Sequence, residues 1–590
     1  MLTYKVRLHL CRISTYQKRI RSVQPYFAEP SVYAELLLLT PNKDKTGVGV
    51  AKLKLFSFPD GQHVFTLAPI ACIPTKEEWA TDQSRIVPPL VQYAAVSGWI
   101  SQKRHCLDAH RDMATGSRLT VPLTVIDCTT RSLVELQRDE PYVTLSYVWG
   151  SAKSGQTTKV AEKDDCILLP SQLPLTIEDS ITACKGLNFR YLWVDRYCIQ
   201  GSHGMRAQQI KQMDEIYSGS ALTIVACTGV DSTHGLPGVS RPRVPDPSID
   251  IEHLGRLRAV PAMYDIEGSA WATRGWTYQE ALLSHRQLYF TEKQLFLGSH
   301  NEIETEALIH GGDAVLEAVS DGSTSTHSLG MSSVYGCIEE YSRRQLTYEH
   351  DTLNALLGVL SHFQQSREVL HIWGVPLQGS NSTPVGGSVY TTELAFEESL
   401  CWSAEYQRCR RGFPTWSWTS KDGPVRWPIM FPLSAAHSSF KSEMRPRFEI
   451  ELRSGRLCSL AEYRLRYNEL DNYGEAILCK DRPSRFVHVE AFVSPIVHIE
   501  DFVIFDKVVL RATTGERLSL EVSGNERLAP SPPDSVVAVH LVSDSHAHVR
   551  TKYGLIVRDM GEHWERVGLI EDVEGLLERV VKVRRKLRMG

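Results

Sequence analysis

The sequence has no Cys-x-x-Cys pair, although 13 cysteines are scattered from Cys11 to Cys479. Zinc ribbons and disulfide frameworks both need paired spacing, so reduced thiols in an intracellular compartment are expected. It also has no uninterrupted apolar run of about 18 residues, the minimum for a membrane helix. The N-terminus, MLTYKVRLHLCRISTYQKRIR, is broken by charges every few residues and has no signal-peptide core. The basic excess of a dedicated nucleic-acid binder is missing too: 65 Lys+Arg face 69 Asp+Glu, a formal net charge of -4. No internal repeat is visible. These absences lead to the expectation of a cytoplasmic protein with no membrane and no nucleic-acid partner. In that setting the Asn381-Ser382-Thr383 sequon is incidental.

What is present is ordinary globular composition, 42% apolar and 23% charged, over 590 residues. That length favours about three or four domains. Residues 1–87 carry strand-like pieces at Ala34–Leu39 and Gly49–Phe56 between turn signals. Residues 88–113 look helical, and Leu123–Asp127 and Ser132–Leu136 alternate like two short strands.

The middle third is the most readable. Tyr142–Tyr147, Tyr191–Asp195 and Ala221–Cys227 are buried-strand runs. Between them lie a helix from Ile177, capped by Thr176, and a helix over Arg206–Tyr217 with Ile210, Met213, Ile216 and Tyr217 on one face. A further helix, Trp271–His285, precedes a strand at Gln287–Tyr289. This alternation predicts an α/β fold with the three strands as parallel neighbours. Residues 301–330 are rich in Ser and Gly and read as a loop. Helical periodicity returns over Val334–Tyr341 and Thr352–Phe363, within a helical region at 331–430. Residues 431–590 read as a β-rich region closed by an amphipathic helix, Asp572–Lys586, with acids first and bases last.

The blocks YVTLSYVWG, LPLTIEDSITACKGL, YLWVDRYCIQ, QIKQMDEIYSGSALTIVACTG and RGWTYQEALLSHRQLYF, in that order, resemble a fungal heterokaryon-incompatibility (HET) domain. The resemblance runs from about Tyr142 to Tyr289, the core of a domain placed at 88–300. Such domains are thought to be remote relatives of TIR domains. The resemblance therefore implies a flavodoxin/TIR-like parallel sheet and a role in non-self recognition and regulated cell death. Partners implied are further copies of the chain or a signalling domain.

Trp276-x-x-x-Glu280 lies on a helix, and in TIR-type NAD hydrolases a glutamate on the corresponding helix is catalytic. The resemblance thus makes NAD a candidate substrate, with no resident cofactor and no metal, and Glu280 the catalytic residue. Nicotinamide leaves oxidised NAD as a neutral molecule, so no general acid is required. One carboxylate can stabilise the oxocarbenium-like ribose.

The proposed substrate-binding residues are Tyr147, Trp149, Gly150, Asp195, Arg274 and Trp276. Tyr147, Trp149 and Gly150 follow a strand at its carboxyl end, where open parallel sheets bind ligands. Core packing is the alternative for the aromatics. Asp195 could bind ribose or hold loop amides, and Arg274 could meet a phosphate or pair with a carboxylate. The segment Gly150–Thr157 nearly spells a phosphate loop but has Gln156 where lysine is needed, which excludes a nucleotide-triphosphatase. Cys198 lacks the His/Asn set of a thiol nucleophile, and His540, His546 and His548 read as an exposed turn rather than a metal set. The loop Cys198–Gly204 carries no acid where the family usually has some. The competing reading is accordingly a non-enzymatic self-association module.

Overall fold

The computed structural model describes residues 2–6, 32–39, 49–57, 64–66, 70–73, 87–102, 122–138, 140–150, 161–163, 166–244, 248–251, 255–259, 264–299, 302–306, 333–367, 369–378, 391–404, 408–427, 445–467, 481–500, 506–511, 514–523, 535–546, 549–572 and 576–590. Outside them lie most of the Ser- and Gly-rich segment 301–330, His548 and the phosphate-loop-like stretch beyond Gly150. The chain forms two compact units, residues 1–273 with 280–330, and residues 274–279 with 331–590.

The first unit opens with strands β1 (Leu2–Val6), β2 (Val32–Leu39), β3 (Gly49–Ser57), β4 (Val64–Thr66) and β5 (Ile70–Ile73), then helix α1 (Tyr93–Gln102). Next come β6 (Thr124–Asp127), β7 (Ser132–Glu135), β8 (Tyr142–Ser146), β9 (Ala161–Lys163) and β10 (Cys166–Leu168). Helix α2 (Leu175–Gly186) leads to β11 (Tyr191–Trp193), and α3 (Asp195–Cys198), α4 (His203–Lys211) and α5 (Met213–Ser218) lead to β12 (Leu222–Ala226). The unit is completed by β13 (Ser248–Ile251), β14 (Gly255–Ala259), α6 (Tyr264–Glu267), part of α7 (Gly275–Leu283), β15 (Arg286–Phe290), β16 (Leu295–Ser299) and β17 (Glu302–Thr305).

A 10-stranded sheet runs in the order β17-β16-β15-β12-β8-β11-β6-β7-β10-β9. Its centre is parallel: β8 pairs with β11 on one side and β12 on the other, and β12 pairs with β15. The expected parallel neighbours are borne out, within a sheet whose flanks are antiparallel. Every residue of β8 and of β12 is buried, as strands covered on both faces should be. In chain order the parallel strands read second, first, third, fourth, the flavodoxin-like arrangement. β1 to β5 form a separate antiparallel sheet, to which β14 and β13 are added.

Two local expectations need correction. Thr176 does not cap α2. The helix starts two residues earlier, at Leu175 after Pro174, and the Thr176 hydroxyl accepts from the Gly235 amide at 3.1 Å. The helix read over Arg206–Tyr217 is two helices broken at Gln212. Met213, Ile216 and Tyr217 are buried, but Ile210 is exposed, because only α5 packs on the sheet side through that face.

The second unit has a helical part with α8 (Val334–Ser342), α9 (Leu357–Arg367) and α10 (Thr392–Ser399), together with the two-stranded ladders β18 (Leu370–Ile372) with β19 (Val375–Leu377) and β20 (Ser403–Ala404) with β21 (Val425–Arg426). Trp416 and Trp418 lie on a turn and a short 3-10 helix, and both indoles are buried. Each donates to a carbonyl distant in sequence, Trp416 to Arg485 at 3.0 Å and Trp418 to Gly374 at 2.8 Å.

The β-rich part contains β22 (Arg447–Leu452), β23 (Leu457–Ser459), α11 (Leu460–Tyr467), β24 (Pro483–Glu500), β25 (Asp506–Arg511), β26 (Arg517–Ser523), β27 (Val536–His546), β28 (Val549–Asp559), β29 (Trp564–Asp572) and β30 (Val583–Met589). Strands β24, β25, β26, β29, β28 and β27 pair in turn, and β27 pairs back onto β24, closing a barrel. Its filling includes Ile496, Leu520, Val536, Ile556 and Ile570.

The expected terminal helix is not there. Asp572 accepts from the amides of Leu576 and Leu577, which caps a single 3-10 turn, and the chain then runs as β30 along β24. Leu587 and Met589 are buried while Lys586 and Arg584 are exposed, the period-2 alternation of a strand. The acids and bases that resembled a helix macrodipole serve instead as a cap and as cross-strand partners of Glu490 and Glu451.

Candidate functional site

β8 comes first among the parallel strands and sits between the next two. The chain leaves it toward β11 on one side and later returns to β12 on the other. Open parallel sheets bind ligands outside the carboxyl ends of strands at such a reversal of strand order. Ser146 ends β8 there, Tyr147, Trp149 and Gly150 follow it, and Asp195 follows β11.

Glu280 reaches the same region from α7. Its carboxylate accepts a short hydrogen bond from the Ser146 hydroxyl, and the Trp271 indole N–H donates to that same Ser146 oxygen at 2.7 Å. All three side chains are buried. Trp271 stands edge-on to Tyr289 with ring centroids 5.8 Å apart, in a cluster with Val148, Val225 and Ala281. Tyr217 of α5 lies against Trp193, and its hydroxyl donates to the Leu145 carbonyl at 3.2 Å. Burial first, then the charges of Glu280 and Asp195, hold the Tyr217 phenol well above its ordinary value.

Tyr147 is also pushed up, first by burial and then by Asp195, with Glu280 contributing. Its ring is only 4% exposed, and its hydroxyl is buried with no hydrogen-bond partner among the described residues. Trp149 is different: 42% exposed, with its indole N–H against both carboxylate oxygens of Asp195 at 3.1 and 2.9 Å. The Arg196 guanidinium lies 5.9 Å from the centre of that ring. Asp195 also accepts from the Arg196 amide at 2.7 Å, so it holds a loop amide and orients an aromatic at once. Gly150 has a φ of 86°, and a Cβ there would come within 2.4 Å of the Asp231 Cβ. The loops after β8 and β12 therefore meet at this glycine.

Four expected residues thus gather at one end of the sheet: Tyr147, Trp149 and Asp195 from the strand ends and Glu280 from α7. Arg274 and Trp276 fall in the second unit. There Arg274 bridges to Gln345, its carbonyl accepts from Arg344 at 3.3 Å, and Trp276 is half-buried. Cys198 is buried and its thiol is pushed up to about 12 by burial, the opposite of an activated nucleophile. Among the described residues, no group of three His, Cys, Asp or Glu side chains could hold a metal ion, and no helix is long and apolar enough to cross a membrane.

Sequence reasoning passed over Ser146, Trp271 and Tyr217. A hydroxyl at the last position of a buried strand, at the strand's carboxyl end, was the available signal for Ser146. For Trp271 it was an indole four residues before the Gly275 that begins α7.

Residues 142–280 match the family model described as Heterokaryon incompatibility protein (HET), and the chain carries a heterokaryon-incompatibility domain over that span. The match begins at the first residue of β8 and ends at Glu280. No curated protein and no solved structure matches the chain.

Proposed function

We propose that this heterokaryon-incompatibility-type protein acts in non-self recognition and regulated cell death, and that its HET domain hydrolyses NAD with Glu280 as the catalytic carboxylate. The observation that carries this reading is the placement of Glu280. It sits at the reversal of strand order, bonded to the last residue of β8, in the same electrostatic neighbourhood as Asp195. The remote relationship to TIR enzymes that the heterokaryon-incompatibility resemblance implies supports it.

The nicotinamide–ribose bond breaks with its electron pair going to the cationic ring, which departs neutral. The ribose carbon becomes oxocarbenium-like, and water adds to give ADP-ribose and a proton. Glu280 supplies the negative charge that stabilises the cationic ribose. Trp149 offers an aromatic face to a base, and Asp195 fixes the plane of that indole.

The experiment is nicotinamide release from NAD by the full chain, comparing wild type with Glu280→Gln at equal oligomeric state. Gln keeps the size but removes the charge, so turnover should fall by about two to three orders of magnitude. Full turnover in the variant would assign the chemistry to another residue. No release by wild type would favour a second reading, a non-enzymatic self-association module. The specific observation on that side is that Glu280 is only 5% exposed.

A further inference from the structure

The Ser146 hydroxyl accepts from Trp271 and donates to the carboxylate of Glu280. An indole N–H can donate but cannot accept. Trp271 donates to Ser146 Oγ at 2.7 Å and so occupies one of its lone pairs. The serine proton points at the ionised carboxylate of Glu280. A hydroxyl aimed this way stabilises an ionised carboxylate and disfavours its protonated form. It also restrains the plane in which the carboxylate can face a reacting carbon. Trp271 cannot turn away, because its ring is locked against Tyr289 in the surrounding cluster.

We propose that Ser146 is a positioning residue for Glu280, and that Trp271 anchors the Ser146 hydroxyl that donates to it. The proposal rests on the reading of Glu280 as the catalytic carboxylate, and it names how the fold keeps that carboxylate charged and aimed. Neither Ser146 nor Trp271 touches substrate in this scheme. The other titratable groups in the same field are the phenols of Tyr217 on α5 and Tyr147 after β8, with Asp195 and Arg196 acting on Tyr147. They are common to all variants below.

The test uses the full chain as Ser146→Ala, Trp271→Phe and Glu280→Gln, with Ser146→Ala also placed in the Glu280→Gln background. For NAD cleavage, Ser146→Ala should lower kcat by about ten- to a hundredfold with little change in KM. The acid limb of its pH profile should move up by about one unit. Trp271→Phe should move the limb in the same direction by less, since the hydroxyl stays but is free to rotate. An unmoved acid limb in both variants would overturn the proposal.

A second measurement does not depend on turnover: melting temperature against pH. Removing the donor raises the folded-state value of Glu280. The melting gap between wild type and Ser146→Ala should therefore be full where Glu280 is ionised in both, and should narrow as falling pH protonates it. In the Glu280→Gln background the gap should not vary with pH. A gap that is pH-independent in both backgrounds would show that Ser146 merely packs. If wild type releases no nicotinamide, the enzymatic reading fails, while the melting comparison still decides whether Ser146 holds Glu280 charged.

Discussion

The Trp149 indole N–H lies 2.9 and 3.1 Å from the two carboxylate oxygens of Asp195, and its ring is left 42% exposed. A half-exposed indole normally turns between rotamers, and this one is tethered by its edge. Restraint of this kind lowers the entropic cost of stacking a base on it. Base–aromatic stacking is worth about 1–3 kcal/mol, so Trp149→Ala should raise the KM for NAD by about tenfold or more. Asp195→Asn should weaken binding less. Steady-state kinetics of nicotinamide release read both, and an unchanged KM in Trp149→Ala would remove the indole from the substrate site.

Gly150→Ala should destabilise the first unit. The residue sits at a φ of 86° and its new methyl would meet the Asp231 Cβ at 2.4 Å. The left-handed backbone alone costs an L-residue about 1–2 kcal/mol, and the contact must be relieved by moving one loop. A loss of about 2 kcal/mol or more in urea denaturation is expected.

Glu451 ties the last strand to the second unit. It accepts from Arg588 of β30 at 2.7 and 2.8 Å and pairs with His488 of β24 at 2.8 Å. The hydrogen bond from Arg588, outweighing partial burial and helped by His488, holds the carboxyl down at about 2. A depressed acid stabilises the fold above its unfolded value near 4.5, and the contribution is lost as pH falls toward 2. Glu451→Gln should cost about 1–2 kcal/mol at neutral pH. Its melting temperature should converge with wild type through that acid window.

Among the described residues, Arg566 has no carboxylate in its hydrogen bonds. Its guanidinium donates to the carbonyls of Leu400, at 2.8 Å, and Trp402, and lies 3.4 Å from the centre of the Trp402 ring. Lysine offers one point charge in place of a planar fork and loses the stacking. Arg566→Lys should leave a buried carbonyl unpaired and cost about 2–3 kcal/mol by chemical denaturation.

The centre of the first unit was legible because parallel strands covered on both faces leave unbroken apolar runs, as in Tyr142–Ser146 and Leu222–Ala226. Glu280 was singled out by its spacing from Trp276 and by the resemblance. The barrel was not, since closure depends on β24 pairing with strands far along the chain, and no local pattern encodes that ring. The tail was misread because Arg584, Lys586 and Arg588 fit a helix terminus by charge, while the decisive signal was the alternation of Leu587 and Met589. Ser146 escaped notice because its partners lie in distant sequence: Trp271 and Glu280.

Ser146 and Glu280 are 134 positions apart, and β11 and β12 are both laid down between them. Such a contact is among the more costly to close in chain entropy and comes late relative to local helices. A polypeptide still emerging from the ribosome, or one cut short before residue 280, can hold a finished β8 and still lack the carboxylate that β8 is built to hold. Whatever that group does is deferred until nearly the whole first unit has been made.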